Sequence, residues 1–81
     1  MTLPLELRPV NAEAVGVYTA QGGLVGNLKR IGKVWKFKAI GVDADGQLVP
    51  GGGPLTERHN TVFQTADAAE VNAVLGPFLS K

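Results

Sequence analysis

Residues 24–42 read LVGNLKRIGKVWKFKAIGV, two β-prone runs on either side of Gly32-Lys33. A two-residue loop with glycine first suits a type II′ turn, whose backbone twist matches that of the flanking strands. Such a loop pairs Ile31 with Val34, and each step outward adds a pair: Arg30 with Trp35, Lys29 with Lys36, Leu28 with Phe37, Asn27 with Lys38, Gly26 with Ala39, and Val25 with Ile40. Side chains alternate between the two sides of a strand. One side therefore carries Leu24, Gly26, Leu28, Trp35, Phe37 and Ala39, with Arg30 at its rim; the other carries Val25, Asn27, Lys29, Lys36, Lys38 and Ile40. The first reads as a core face and the second as a basic one.

Upstream, residues 14–20 read AVGVYTA, rich in β-branched residues, and Gln21-Gly22-Gly23 follows. This predicts a strand and a second hairpin across residues 20–24. A two-residue turn on either Gln21-Gly22 or Gly22-Gly23 puts Val15, Val17 and Thr19 on the Trp35 and Phe37 side and Tyr18 among the lysines. Residues 3–10, LPLELRPV, alternate through Leu3, Leu5 and Leu7, while Pro4 and Pro9 lack the N–H that an inner strand needs. Residues 1–12 are thus expected as an edge strand or an extended arm, and an arm would cover part of the basic side.

Downstream, Asp43-Ala-Asp-Gly46 is a turn signature. Residues 47–60, QLVPGGGPLTERHN, are expected as an irregular, mobile Gly/Pro-rich loop with room for a short strand at 47–49. Another short strand is expected at 61–64. A helix then begins near Thr65 or Asp67, where Asp67 and Glu70 approximate a capping box. Val71, Val74, Leu75, Phe78 and Leu79 form one apolar stripe, with Gly76-Pro77 ending or kinking the helix. The stripe needs a partner, and the Trp35 and Phe37 side is the largest apolar surface on offer. The expected fold is a small α+β domain: an antiparallel sheet of three or more strands, hairpins at 20–24 and 31–34, and one C-terminal helix packed on one face.

At 81 residues the chain has room for a single domain. No apolar run approaches the ~20 residues needed to span a bilayer, so no membrane partner is expected. The opening MTLPLELRPV lacks the basic-then-apolar order of a signal peptide. The absence of cysteine removes disulfides and thiolate metal sites and fits a reducing compartment, which makes the cytoplasm the expected location. A net charge of +1 conceals a segregation: no acidic residue lies between Glu13 and Asp43, whereas Lys29, Arg30, Lys33, Lys36 and Lys38 all do.

The basic side is the one feature that points to chemistry. Lys29 opposite Lys36 is a like-charge pair, destabilising by a few tenths of a kcal/mol up to ~1. A partner carrying phosphates would neutralise Lys29, Lys33, Lys36 and Lys38, and Tyr18 could stack on a base or sugar. The plainer reading, a solvated strand face whose lysines discourage edge-to-edge aggregation, outranks it on sequence alone. Val25, Ile31, Val34, Ile40 and Val42 share that side, so a second copy or another protein is the alternative occupant.

Other motifs fall away. Gly51-Gly52-Gly53 lacks the following Gly-Lys-Ser/Thr of a phosphate loop, and Asp43-x-Asp-Gly lacks the ligand spacing of a calcium loop. His59 is the sole histidine, and a surface or capping role outranks general acid-base work for it. No catalytic residue, metal site or cofactor is assigned. In element order, three antiparallel strands and then a helix, the chain is similar to the AP2 domains of plants and to integrase arm-binding domains, which present a sheet to DNA. The segment Val62-Phe-Gln-Thr-Ala-Asp-Ala-Ala69 resembles the strand-to-helix junction of the plant domains. The chain departs from them by the insert at 47–60 and by lacking their arginine-rich first strand, so the likeness is architectural. The favoured function is non-catalytic binding of an anionic partner such as nucleic acid. A structural or protein-interaction module, as a homodimer or a subunit of a larger assembly, ranks second, and a small enzyme using His59 third.

Overall fold

In the computed structural model, which describes residues 3–79, strands β3 (Leu24–Ile31) and β4 (Val34–Val42) pair in the expected register. Ile31 stands opposite Val34, Lys29 opposite Lys36, Leu28 opposite Phe37 and Asn27 opposite Lys38. Gly32 has φ +63° and Lys33 stays out of the positive region, as a type II′ turn requires.

Strand β2 (Ala14–Thr19) lies beside β3, with Val15 opposite Leu28 and Val17 opposite Gly26. Val15 and Val17 therefore join the core side and Tyr18 the lysine side. The connecting loop differs from expectation. Thr19 N–H donates to the Gly23 carbonyl and Gly22 N–H to the Thr19 carbonyl, so the turn holds Ala20, Gln21 and Gly22. A β-bulge between Val17 and Tyr18 absorbs the added residue and restores the register that a turn on Gln21-Gly22 would have set. The bulge pairs Leu24 with Tyr18, which takes Leu24 off the core side where simple alternation put it.

The N-terminal segment is an edge strand. β1 (Leu5–Asn11) pairs with β2, placing Leu5 opposite Thr19 and Leu7 opposite Val17, both on the core side. It does not reach over the lysines. Leu5 turns its N–H and C=O outward to the Asn72 side chain, so alternation puts Pro9 outward as well, where its missing N–H breaks no ladder bond.

Two short strands share the outer edge of β4: β5 (Leu48–Pro50) along its end and β6 (Val62–Phe63) along its start. The sheet order is β1-β2-β3-β4-β5, with β6 also on β4. The helix α1 (Ala68–Leu75) is capped by Asp67, whose Oδ2 accepts the Glu70 N–H at 3.1 Å, while the Glu70 carboxylate accepts the Thr65 hydroxyl at 3.1 Å. Both expected capping residues are thus engaged. A 3-10 turn, Gly76–Leu79, carries Phe78 and Leu79 against the core.

Phe37, Leu28, Val17, Val71 and Leu75 are fully buried, Phe63 very nearly so, and Trp35 packs on them while half-buried. Three expectations need correction. Val25, expected on the lysine side, is buried in the core. Val74 is exposed, and its place on the buried side of α1 is taken by Asn72. The stretch 47–60 is held in place: it supplies Leu55, which is fully buried, and a 3-10 turn, Thr56–Arg58. Gly51 N–H donates to the Ala39 carbonyl, and the backbones of Gly53 and Gly41 touch. Arg58 lays its guanidinium over the Phe78 ring, 4.2 Å from its centroid, tying this stretch to the C-terminal turn. The core is therefore roofed by two segments, α1 beside β1 and the Leu55 turn beside β4. No helix of the described residues is long and apolar enough to cross a membrane.

Candidate functional site

Both roofing segments lie on the Leu28 and Phe37 side, which leaves the Lys29 and Lys36 side as the open face of the sheet. Strand pairing sets its layout. One row across the strands runs Arg8, Gly16, Asn27, Lys38, and the next runs Ala14, Lys29, Lys36, Val62. Neighbouring strands are about 4.8 Å apart, so Arg8 and Lys38 stand roughly 14 Å from each other at the backbone. No carboxylate of a described residue lies within ion-pair distance of Lys29, Lys33, Lys36 or Lys38. Lys38 Nζ donates to Asn60 Oδ1 at 2.6 Å, which holds its head at the β4 edge.

Of the residues singled out from sequence, Lys29, Lys36 and Lys38 are brought together by the β3–β4 pairing, and Lys33 stands at the hairpin tip. Tyr18 is on the same face but its ring is occupied. It lies over Gly16, where a Cβ would come within 2.7 Å of its Cε1, and the Arg8 guanidinium sits 4.3 Å from the ring centroid. Stacking a base on Tyr18 would first displace Arg8. Arg8 also pairs with Glu6 at 3.2 Å, both side chains being exposed.

Arg8 is the face residue that sequence reasoning missed. The signal was present: if Leu5 and Leu7 face the core, Glu6 and Arg8 face away from it. Placing Arg8 over Tyr18 needed the β1–β2 register, which the sequence left open.

His59 completes the edge. Between β5 and β6, the outward N–H of Ala39 donates to His59 Nδ1 at 3.0 Å, in the place where a strand carbonyl would otherwise accept. On one side of it Phe37 exchanges bonds with Thr61 and Asn60, and on the other Gly51 bonds the Ala39 carbonyl. Accepting at Nδ1 puts the neutral ring's proton on Nε2, so no free lone pair remains on this imidazole. Replacing His59 by alanine is expected to strand the buried Ala39 N–H and to lower unfolding free energy by about 1–3 kcal/mol, measured by denaturant melts.

A groove of about 330 Å³ lies along this edge, lined by Asn27, Lys29, Lys38, Ile40, Leu48 and Pro50, with His59 at its border. A second hollow of about 490 Å³ on the other side of Lys29 includes Glu13, whose carboxylate makes it less suited to an anion. The Asp43 turn is consumed locally, its Oδ1 accepting from Asp45 N–H and Gln47 N–H at 2.9 Å each. Among the described residues no three histidine, aspartate or glutamate side chains converge as a metal site requires. Compared with protein-family models, with curated proteins and with solved structures, the chain matches none.

Proposed function

We propose that the open sheet face binds the phosphate backbone of a nucleic acid, through Lys29, Lys36 and Lys38, with Arg8 and Lys33 extending the footprint and Tyr18 positioning Arg8. The observation that carries this is the Lys29–Lys36 pair, on a face where no carboxylate of a described residue comes within ion-pair distance of Lys29, Lys33, Lys36 or Lys38. Folding gains nothing from that arrangement, whereas a polyanion would turn the repulsion into release of counterions. We propose a cytoplasmic location as well, which the lack of cysteine supports.

A second reading rests on Val42 and Leu48, a directly opposed pair that is 59% exposed at each residue. They would seat another protein or a second copy, and equilibrium sedimentation that returns a monomer at high concentration would discard the self-association form.

The test of the first reading is an NMR titration with short oligonucleotides at low salt. Amide shifts are expected to cluster at residues 27–38 and at Arg8 and to fade as salt is raised. Lys36→Gln is expected to weaken binding and to reduce the slope of log K against log salt by about 0.7–0.9. The same change should raise stability by a few tenths of a kcal/mol, because it relieves the cross-strand repulsion. A titration that moves no amide at low salt would sink the proposal.

A further inference from the structure

The groove beside His59 differs from the rest of the open face. Lys29 and Lys38 stand at one end, while Ile40, Leu48 and Pro50 form an aliphatic shelf at the other. Pairing puts Ile40 directly opposite Pro50, so the two lie side by side on the lysine face. Leu48 is 59% exposed there. At about 330 Å³ the groove sits at the lower end of the range for small-ligand sites, about 300–1,000 Å³.

A duplex presents phosphates outward and keeps its bases stacked inside, so it would engage the lysines and leave the shelf wet. An unpaired nucleotide offers both parts at once, an anionic phosphate and a flat apolar base. We infer that the groove takes an unpaired nucleotide of a single strand, its phosphate against Lys29 and Lys38 and its base against Ile40, Leu48 and Pro50. The inference rests on the nucleic-acid reading of the basic face and narrows it to single-stranded partners. Asn27 at the groove floor adds an amide that can bond either a base edge or a phosphate oxygen.

The experiment is fluorescence anisotropy with a labelled single-stranded oligonucleotide and with the blunt duplex of the same sequence, at low salt. The full chain and its Leu48→Ser variant are compared. Leu48 is exposed, so the variant should keep the fold, and a thermal melt of each protein checks this. The expected result is tighter binding of the single strand than of the duplex. Leu48→Ser should then lose about fivefold or more on the single strand while leaving the duplex unchanged. Equal or tighter duplex binding, or a Leu48→Ser protein that binds the single strand as well as the parent does, would overturn the groove assignment and leave the basic-face reading standing. Binding of neither nucleic acid would overturn both.

Discussion

Replacing Gly53 by alanine is expected to remove a large share of the stability of this domain. Gly53 has φ +86°, a conformation that costs an L-residue roughly 1–2 kcal/mol. A Cβ there would also run into the Ile40 carbonyl oxygen and come within 2.9 Å of Gly41 Cα. Both obstacles are β4 backbone, which cannot rotate away as a side chain would. Overpacking of this kind adds about 1–3 kcal/mol, for a total near 2–5. A chain of 81 residues is stabilised by only about 4–12 kcal/mol.

Gly41 provides the control. Alanine there would bring its Cβ to 2.5 Å from Gly53 N, but Gly41 has no positive φ to lose. Gly41→Ala should therefore cost less than Gly53→Ala, by about the 1–2 kcal/mol of the backbone term. Denaturant melts of both variants decide it. If Gly53→Ala unfolds at the parent's midpoint, the close approach of residues 51–55 to β4 is not what holds Leu55 in the core.

The second large effect is expected at Asn72. Its Oδ1 accepts the Leu5 N–H at 2.8 Å, and its Nδ2 donates to the Leu5 carbonyl at 3.0 Å and to the Ala68 carbonyl at 2.8 Å. The side-chain amide thus acts as one residue of a neighbouring strand, closing the outer edge of β1 from the helix. Asn72 is 7% exposed and Leu5 2%, so water would not easily replace it.

Asn72→Ala should strand the Leu5 N–H and C=O, at about 1–3 kcal/mol for each group left without a partner. With about 4–8 °C lost per kcal/mol in a domain of this size, the melting temperature should fall by about 8 °C or more. Asn72→Asp keeps the acceptor but sets a carboxylate against two carbonyl oxygens, and it should be at least as damaging. A melting temperature within about 2 °C of the parent for both variants would mean that β1 does not depend on α1 for its place in the sheet.

The two devices also show why part of the fold stayed illegible. Nothing local marks Asn72, which sits mid-helix between Val71 and Ala73 and off the expected stripe of Val71, Val74 and Leu75. Its purpose is defined by Leu5, which lies 67 positions away in the chain. Residues 51–53 read as a flexible linker because glycine is what both a loose loop and a close backbone contact require. Which of the two applies depends on β4 lying alongside. His59 is similar: its role as a substitute carbonyl exists only where β5 and β6 leave a gap on one edge.

The lysine face was more accessible from sequence. A hairpin closed by two residues leaves no freedom in register, so the type II′ turn at Gly32-Lys33 determined by itself that Lys29 faces Lys36 and that Asn27 faces Lys38. Period-2 alternation then separated Leu28 and Phe37 from the lysines, because an error of one residue would have buried charge and exposed the core. What only the tertiary structure decided is what surrounds that hairpin. The bulge that pairs Leu24 with Tyr18, the β1 register that sets Arg8 over the Tyr18 ring, and the β5 placement that gives the lysines an aliphatic shelf are all contacts between distant segments. Their geometry depends on packing rather than on local conformational preference, so the order of residues states that the face is basic, and the assembled sheet states what shape the charge is set in.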